Sequence, residues 1–387
     1  MHILIIPSEH FITQTQPLGG IFQYHQAKAL NNAGHQIGVL SVGYITPRYL
    51  VSKYIYKKEE KKENINIKRE YKQLYFPHRY MLFKILKNNY IKMADKLYKE
   101  YIKEFGIPDI IHAHNFLYAG IIAEFIKDEY GVNYIVTEHS SSFVRNKLSS
   151  GKIKSIENVA KNALKVTAVS SSFNNILKEY TKTNIDLLPN IVDDFFFQKE
   201  FQNKISKNFI FLHIASLDKN KNQELLIKSF EKIAKLNHNV YLNIAGSGYM
   251  KKYLESLVKK LDIQKQVNFL GRISQEKVRD EMMNSDCFVL SSNFETFGVV
   301  LIEALACGLP LIATKCGGPE DIINKQNGIL MDVENQLQLE DAMITMYKNA
   351  HNYDKEKLRN YAKEKFGEKT FIENVIKYYK VRIDNEE

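Results

Sequence analysis

Ten short apolar runs, separated by longer stretches of helical periodicity, constrain what this 387-residue chain can fold into. They are His2–Ile6, Gln36–Val42, Asp109–His112, Tyr134–Thr137, Lys165–Val169, Phe209–Ile214, Tyr241–Ala245, Val267–Leu270, Cys287–Leu290 and Leu311–Ala313. Alternation of strand-length runs with helical segments predicts parallel sheets built from βα units. The runs fall into two successive sets, so the pattern predicts an α/β protein of two doubly wound, Rossmann-like domains, a number that suits the length. Leu187–Asp193 closes the first set and the polar stretch Lys199–Lys207 leads into the second, which gives domains at 1–195 and 208–365. Phe366, Phe371, Val375, Tyr378 and Tyr379 recur at helical spacing with no proline, predicting a final helix over 366–387. Ligands of open α/β sheets bind beyond the carboxyl ends of the strands, so two such domains predict a site in the cleft where they face each other.

Composition narrows the class. The N-terminus, Met1 to Pro7, has neither a basic region nor a long apolar core and reads as a first strand, and no apolar stretch approaches the roughly 20 residues that span a bilayer. Three cysteines, Cys287, Cys307 and Cys316, lie in apolar segments without metal-ligand spacing, as reduced buried thiols of a cytoplasmic protein would. The net charge of +10 resides wholly in the N-terminal half: Arg48 to Lys103 alone holds 16 basic and 6 acidic residues, with ten Tyr and Phe interleaved between Tyr49 and Tyr98. Such a segment suits anionic lipid headgroups, placing the protein peripherally on the inner face of the membrane; a solvated basic shell over inward-facing aromatics is the alternative. Nucleic acid would satisfy the same charges, but no nucleic-acid motif accompanies them.

The loop after the run Cys287–Leu290 carries the chemistry. Ser291-Ser-Asn-Phe-Glu-Thr-Phe-Gly-Val-Val-Leu-Ile-Glu leads from a strand into a helix opening near Thr296–Gly298, where free N–H groups and the positive dipole end form an anion site. Glu295 and Glu303 are spaced E-x7-E; eight helical residues advance about 12 Å, so the two carboxylates could bracket an extended, hydroxyl-rich ligand. Glu303 lies in an apolar run, where an unpaired carboxylate is costly.

From Ser292 to Gly318 the sequence matches S-x-x-E-x-F-G-x-x-x-x-E-A-x-A-x-G-x-P-x-I-A-x-x-x-G-G, and over its whole length the chain resembles the family 4 glycosyltransferases of GT-B architecture. The resemblance implies that the C-terminal helix returns toward the N-terminal domain, that Glu295 contacts sugar hydroxyls, that Thr296, Phe297, Gly298 and Val299 present backbone N–H groups to sugar and phosphate, and that Glu303 holds the ribose. It makes Gly19 and Gly20, in Pro17-Leu-Gly-Gly20, a glycine loop against the diphosphate, Lys221 a diphosphate ligand and Arg272 a neighbour of base or phosphate. His139, in Thr137-Glu-His-Ser-Ser141, corresponds to the histidine that lies against the transferring sugar. His114 and Arg145 are candidates for the acceptor, while His112 fits a structural role. Asn190 sits in a variant of the P-N-G-V-D hinge signature with Ile191 in place of Gly. The main departure is Ala215-Ser-Leu-Asp-Lys-Asn-Lys-Asn222 where the family has G-R-L-x-x-x-K-G: Ser216 replaces the arginine of the Arg/Lys pair, and Asn222 replaces a glycine.

The expected activity is retaining transfer of a hexosyl or N-acetylhexosaminyl unit from a nucleoside diphosphate sugar, UDP-linked by expectation, to a glycan or lipid-linked acceptor in surface polysaccharide or glycoconjugate synthesis. Catalysis is assigned to His139, Lys221 and Glu295, with no cofactor; no metal is expected either, and no Asp-x-Asp is present to hold one. The alternatives are a non-transferring relative on the same fold, such as a sugar-nucleotide epimerase or a phosphorylase-like enzyme, and a binding protein whose site has decayed.

Overall fold

β1 (His2–Ile6), β2 (Gln36–Ile45), β3 (Glu59–Lys62), β4 (Ile65–Gln73), β5 (Ile110–His114), β6 (Tyr134–Glu138), β7 (Lys165–Ala168) and β8 (Asp186–Leu187) form one sheet in the order β3-β4-β2-β1-β5-β6-β7-β8. The computed structural model describes residues 1–16, 19–45, 55–73, 83–145, 148–201 and 208–380, the side chain of Arg145 excepted. Pro17 and Leu18 of the glycine loop, 48–54 and 74–82 of the basic segment, 202–207 of the inter-domain stretch and 381–387 of the expected final helix therefore lie outside the described residues. A second sheet contains β9 (Phe209–Ile214), β10 (Val240–Ala245), β11 (Val267–Gly271), β12 (Cys287–Leu290), β13 (Leu311–Thr314) and β14 (Gly328–Met331), in the order β11-β10-β9-β12-β13-β14. Every pair is parallel except β3 with β4. Ile3 to Ile6, Val289 and Ile312 have no exposed surface, as continuous apolar runs in parallel strands require when both faces are covered.

Two strands of the first sheet were hidden in the basic segment. Glu59-Glu-Lys-Lys62 is a charged edge strand joined to β4 through Glu63 and Asn64, whose φ angles of 47° and 64° satisfy a two-residue hairpin turn with both central residues left-handed. Much of the segment's chemistry turns inward. Lys68 is buried between Glu59 at 2.8 Å and Glu104 at 2.7 Å, and Arg69 is buried with Nε on the Phe11 carbonyl, Nη2 on that of Ile12 (both 2.8 Å) and Nη1 on Glu60 at 3.0 Å. Tyr71, Tyr90 and Tyr98 are buried in the core, while Tyr56 and Phe83 are half-buried. Lys57, Lys58, Lys61 and Lys72 face outward, as does a row of lysines on the helix Phe83–Phe105, with Lys84, Lys92, Lys96, Lys99 and Lys103 exposed.

The chain packs as two compact units, one of Met1–Asn190 with the stretch from Lys369 onward, the other of Ile191–Glu368. The division falls at Asn190, ahead of the 195–207 suggested by the polar linker, because residues 191–201 pack within the second unit: Arg279 lies 3.9 Å over the Phe195 ring and Arg359 3.7 Å over Phe201. The expected single terminal helix is two, Lys355–Phe366 and Glu368–Tyr379, parted at Gly367, so Phe366 ends the earlier helix and only the later one belongs to the first unit.

Candidate active site

In the second unit the carboxyl ends of β9 and β12 are stitched together by their loops. Ser291 Oγ donates to the carbonyls of Lys221 (2.9 Å) and Asn222 (3.1 Å), Asn293 N–H to that of Asn220 (2.7 Å), and Asn220 Nδ2 to that of Phe294 (3.0 Å). Lys221 Nζ thereby meets Glu295 Oε1 at 2.5 Å, and Ser292 Oγ donates to the same oxygen at 2.6 Å. Glu295 is fixed from the other side by β-bridge pairing with Gly317: its N–H donates to the Cys316 carbonyl and its own carbonyl accepts from Gly318 N–H. A Cβ on Gly318 would stand 2.2 Å from the Phe297 backbone, so only glycine allows this approach.

The helix that follows is Val299–Ala306, led by Gly298 at φ 94°. Glu295 is therefore outside it, and the E-x7-E spacing does not run along one helix as the sequence suggested. The helix starts four residues after Glu295, and its first N–H groups have no intrahelical partner. Phe297 is a core residue, 5.8 Å from Phe366 between ring centroids, so it can offer a ligand only its backbone. Glu303, about one turn into the helix, is partly buried, and its carboxyl has no hydrogen-bond or ion-pair partner among the described residues. Burial, with Asp193 nearby adding a like charge, pushes that carboxyl up to about 8.

The departures from the family pattern have physical accounts. Asn222 takes the left-handed conformation (φ 47°) that the family's glycine would, and caps the helix Gln223–Leu236 by accepting from Leu225 N–H. Ser216 Oγ donates to Asp218 Oδ2 at 2.6 Å, while Asp218 Oδ1 accepts from Asn220 and Lys221 N–H, so serine at the arginine position helps to shape the turn that carries Lys221. Behind it, buried His213 donates Nδ1–H to the Val289 carbonyl at 2.8 Å and accepts at Nε2 from Gln223, whose amide also donates to the Ser216 carbonyl. Burial lowers His213 to about 4, and it is neutral.

In the first unit, Gly20 (φ 64°) precedes the helix Ile21–Asn32, and a Cβ on Gly19 would stand 2.4 Å from the His10 carbonyl. At the ends of β5 and β6, His114 Nδ1 and His139 Nε2 are 3.0 Å apart. Burial lowers His139 to about 4 and holds His114 well below its ordinary value, so both are neutral. His112 is structural: Nδ1 meets Tyr379 Oη and Nε2 meets Thr137 Oγ1, each at 2.7 Å.

Two family descriptions match this chain, Glycosyltransferase Family 4 over residues 20–194 and Glycosyl transferases group 1 over 194–365. N-acetyl-alpha-D-glucosaminyl L-malate synthase of Bacillus anthracis is 30% identical over 313 residues, covering 76% of this chain and 79% of its own. The chain belongs to glycosyltransferase family 4. The transferase shares its GT-B fold with sucrose-phosphate synthase from Thermosynechococcus elongatus (TM-score 0.77, 19% identity, 98% of each chain) and with Anabaena HepE solved with UDP-glucose (TM-score 0.70, 17% identity, 97% of this chain and 99% of that one).

Within each unit most of the site residues read from the sequence follow the carboxyl ends of strands, Glu303 and Arg145 lying in the helices beyond. Lys221, Glu295, Thr296, Gly298, Val299 and Glu303 gather around one helix start of the transferase. The side chain of Arg272, exposed after β11, makes no hydrogen bond or ion pair among the described residues, and Arg145 has only its backbone described, in the short helix Ser142–Arg145. Ser292, Asp218 and Glu138 were missed. Ser292 stands first in the quoted motif, and a D-x-N turn signals Asp218; for Glu138, only a carboxylate ending an apolar strand gave notice.

Proposed function

We propose that the transferase is a retaining enzyme that moves a hexosyl or N-acetylhexosaminyl unit from a UDP-sugar to a glycan or lipid-linked acceptor. The observation that carries this is the Lys221–Glu295–Ser292 cluster just ahead of helix Val299–Ala306, with the unpartnered carboxyl of Glu303 about one turn into it. A diphosphate at the helix start would draw Lys221 away from Glu295; Glu295 is then released to accept from sugar hydroxyls while Glu303 accepts from the ribose. As the sugar–phosphate bond breaks, charge builds on the diphosphate, where Lys221 and the helix N–H groups stabilise it without reorganising. The proposal assigns no protein nucleophile and no metal. His139 lies against the transferring sugar in this reading.

UDP and the N-acetylhexosaminyl option draw support from the HepE complex with UDP-glucose and from the Bacillus synthase's name. No described helix is long and apolar enough to cross a membrane. The lysine row on Phe83–Phe105 supports peripheral contact with an anionic surface, and three buried, unpaired cysteines support a reducing compartment. Thermal-shift screening against UDP-, GDP- and ADP-sugars, followed by turnover with candidate acceptors, tests the reading. Stabilisation by UDP-sugars and an acceptor-dependent release of UDP are expected. No stabilisation by any sugar nucleotide in the parent would refute it, and acceptor-independent conversion of the sugar would point to an epimerase.

A further inference from the structure

Glu138 ends β6, one residue before His139, and is 1% exposed with no ion pair among the described residues. Its carboxylate is fully used by backbone. Oε2 accepts from Phe116 N–H at 2.8 Å; Oε1 accepts from Ser140 N–H at 2.8 Å and from His139 N–H at 3.1 Å. Phe116 belongs to the turn after β5 and the other two to the turn after β6, so one side chain clamps the two turns that carry His114 and His139. Asn115 (φ 78°) adds a parallel strap: its Oδ1 accepts from His139 N–H at 2.9 Å, and its N–H donates to the Thr137 carbonyl at 2.8 Å.

All three groups facing Glu138 are donors. An ionised carboxylate presents acceptors on both oxygens, whereas a protonated carboxyl or a glutamine amide turns one position into a donor that faces an N–H. We propose that Glu138, in its ionised form, is a positioning residue for His139, holding the loop so that the imidazole meets the transferring sugar. The inference rests on the reading of His139 given above.

The clamp is poised to open near neutral pH. Burial pushes the Glu138 carboxyl up to about 7, against the opposing pull of the three N–H groups. Burial holds the nearby histidines and tyrosines away from that range. His112 and His114 on β5 and His139 itself are held low by burial, and Tyr118, after β5, is held high. Lys165 on β7 is paired with Asp186, and Glu124 and Asp128 of the helix Ile121–Tyr130 act at the far end of β6, on Tyr134. Tyr379, from the terminal helix, bonds His112 and is held high.

The test compares parent, Glu138→Gln and His139→Ala with the sugar nucleotide the parent uses, recording kcat, KM and UDP affinity from pH 6 to 8.5. Parental kcat is expected to fall about tenfold from pH 8 to pH 6, since a group titrating near 7 is then mostly protonated. Glu138→Gln at pH 8 is expected to match the parent at pH 6 within about threefold and to lose the acid limb, with KM and UDP affinity unchanged. A Glu138→Gln enzyme with parental kcat, or with the acid limb intact, overturns the inference, provided His139→Ala is impaired. If His139→Ala keeps parental kcat, it is the reading of His139 that fails. Should Glu138→Gln not fold, the parental amide resonances of Phe116, His139 and Ser140 must shift together with one midpoint near pH 7; resonances that stay still overturn the clamp.

Discussion

Replacing Glu303 by glutamine should make the transferase more stable and less able to bind its donor, with the gain growing as pH rises. The carboxyl is partly buried and unpartnered, and burial raises it from 4.5 to about 8. The sign follows from proton counting: a raised carboxyl contributes stability fully below pH 4.5 and loses it as the pH climbs to about 8, because the unfolded chain releases a proton that the folded chain keeps. At pH 7 the loss is about 3 kcal/mol at about 1.4 kcal/mol per pH interval, and roughly halving it for the water that still reaches the side chain leaves about 2 kcal/mol. A neutral amide escapes this loss. For a unit spanning Ile191–Glu368, about 2 kcal/mol corresponds to a Tm higher by about 4–8 °C. Thermal scans of parent and Glu303→Gln at pH 4.5, 7 and 8.5 measure it: the gap should be near zero at pH 4.5 and stop widening above about 8. In the same scans, the shift produced by UDP should shrink as affinity falls about tenfold or more, since glutamine offers one acceptor oxygen where the carboxylate offers two. A gap independent of pH would refute the reasoning, because the carboxyl would then be ionised and hydrated in the folded chain.

Lys221→Met removes the cation at the helix start and strands Glu295; UDP-sugar affinity measured by calorimetry should fall about tenfold or more, and kcat with it. Gly318→Ala forces a methyl to within 2.2 Å of the Phe297 backbone, and chemical denaturation should show a loss of about 2 kcal/mol or more, with Glu295 displaced along with its bridge. Turnover should be unchanged by EDTA, and a loss restored by a divalent ion would defeat the metal-free proposal. Co-sedimentation with vesicles should rise with anionic lipid content and fall when Lys84 and Lys92 are changed to Glu.

The sheets were legible because buried parallel strands announce themselves. β1, β9 and β12 were read from the sequence with the bounds they have in the structure, as continuous apolar runs leave few alternatives. β3 and β4 were not, since an edge strand reading Glu-Glu-Lys-Lys and a buried Lys68–Arg69 pair look like a solvated surface until their partners are known. The long motif gave the helix start and both of its carboxylates, yet not that Lys221 and Glu295 would meet, a contact that joins positions 74 residues apart. Ser216 looked like a loss when judged against the family pattern, but its hydroxyl helps to shape the turn around Lys221. Glu138 escaped notice because a lone glutamate carries no spacing signal; its meaning lies in three backbone N–H groups drawn from two turns.

Because Tyr379 supplies the hydroxyl that meets His112, the first unit is written in two instalments. The ribosome finishes Asn190, then threads out Ile191–Glu368, and only then delivers the helix Glu368–Tyr379 that completes the unit begun at Met1. At about 5–20 residues per second that interval is roughly ten to forty seconds. Throughout it the nascent first unit lacks Tyr379, and His112 must find another hydrogen-bond partner. A chain of this order completes its first unit only after the whole of the second has left the ribosome.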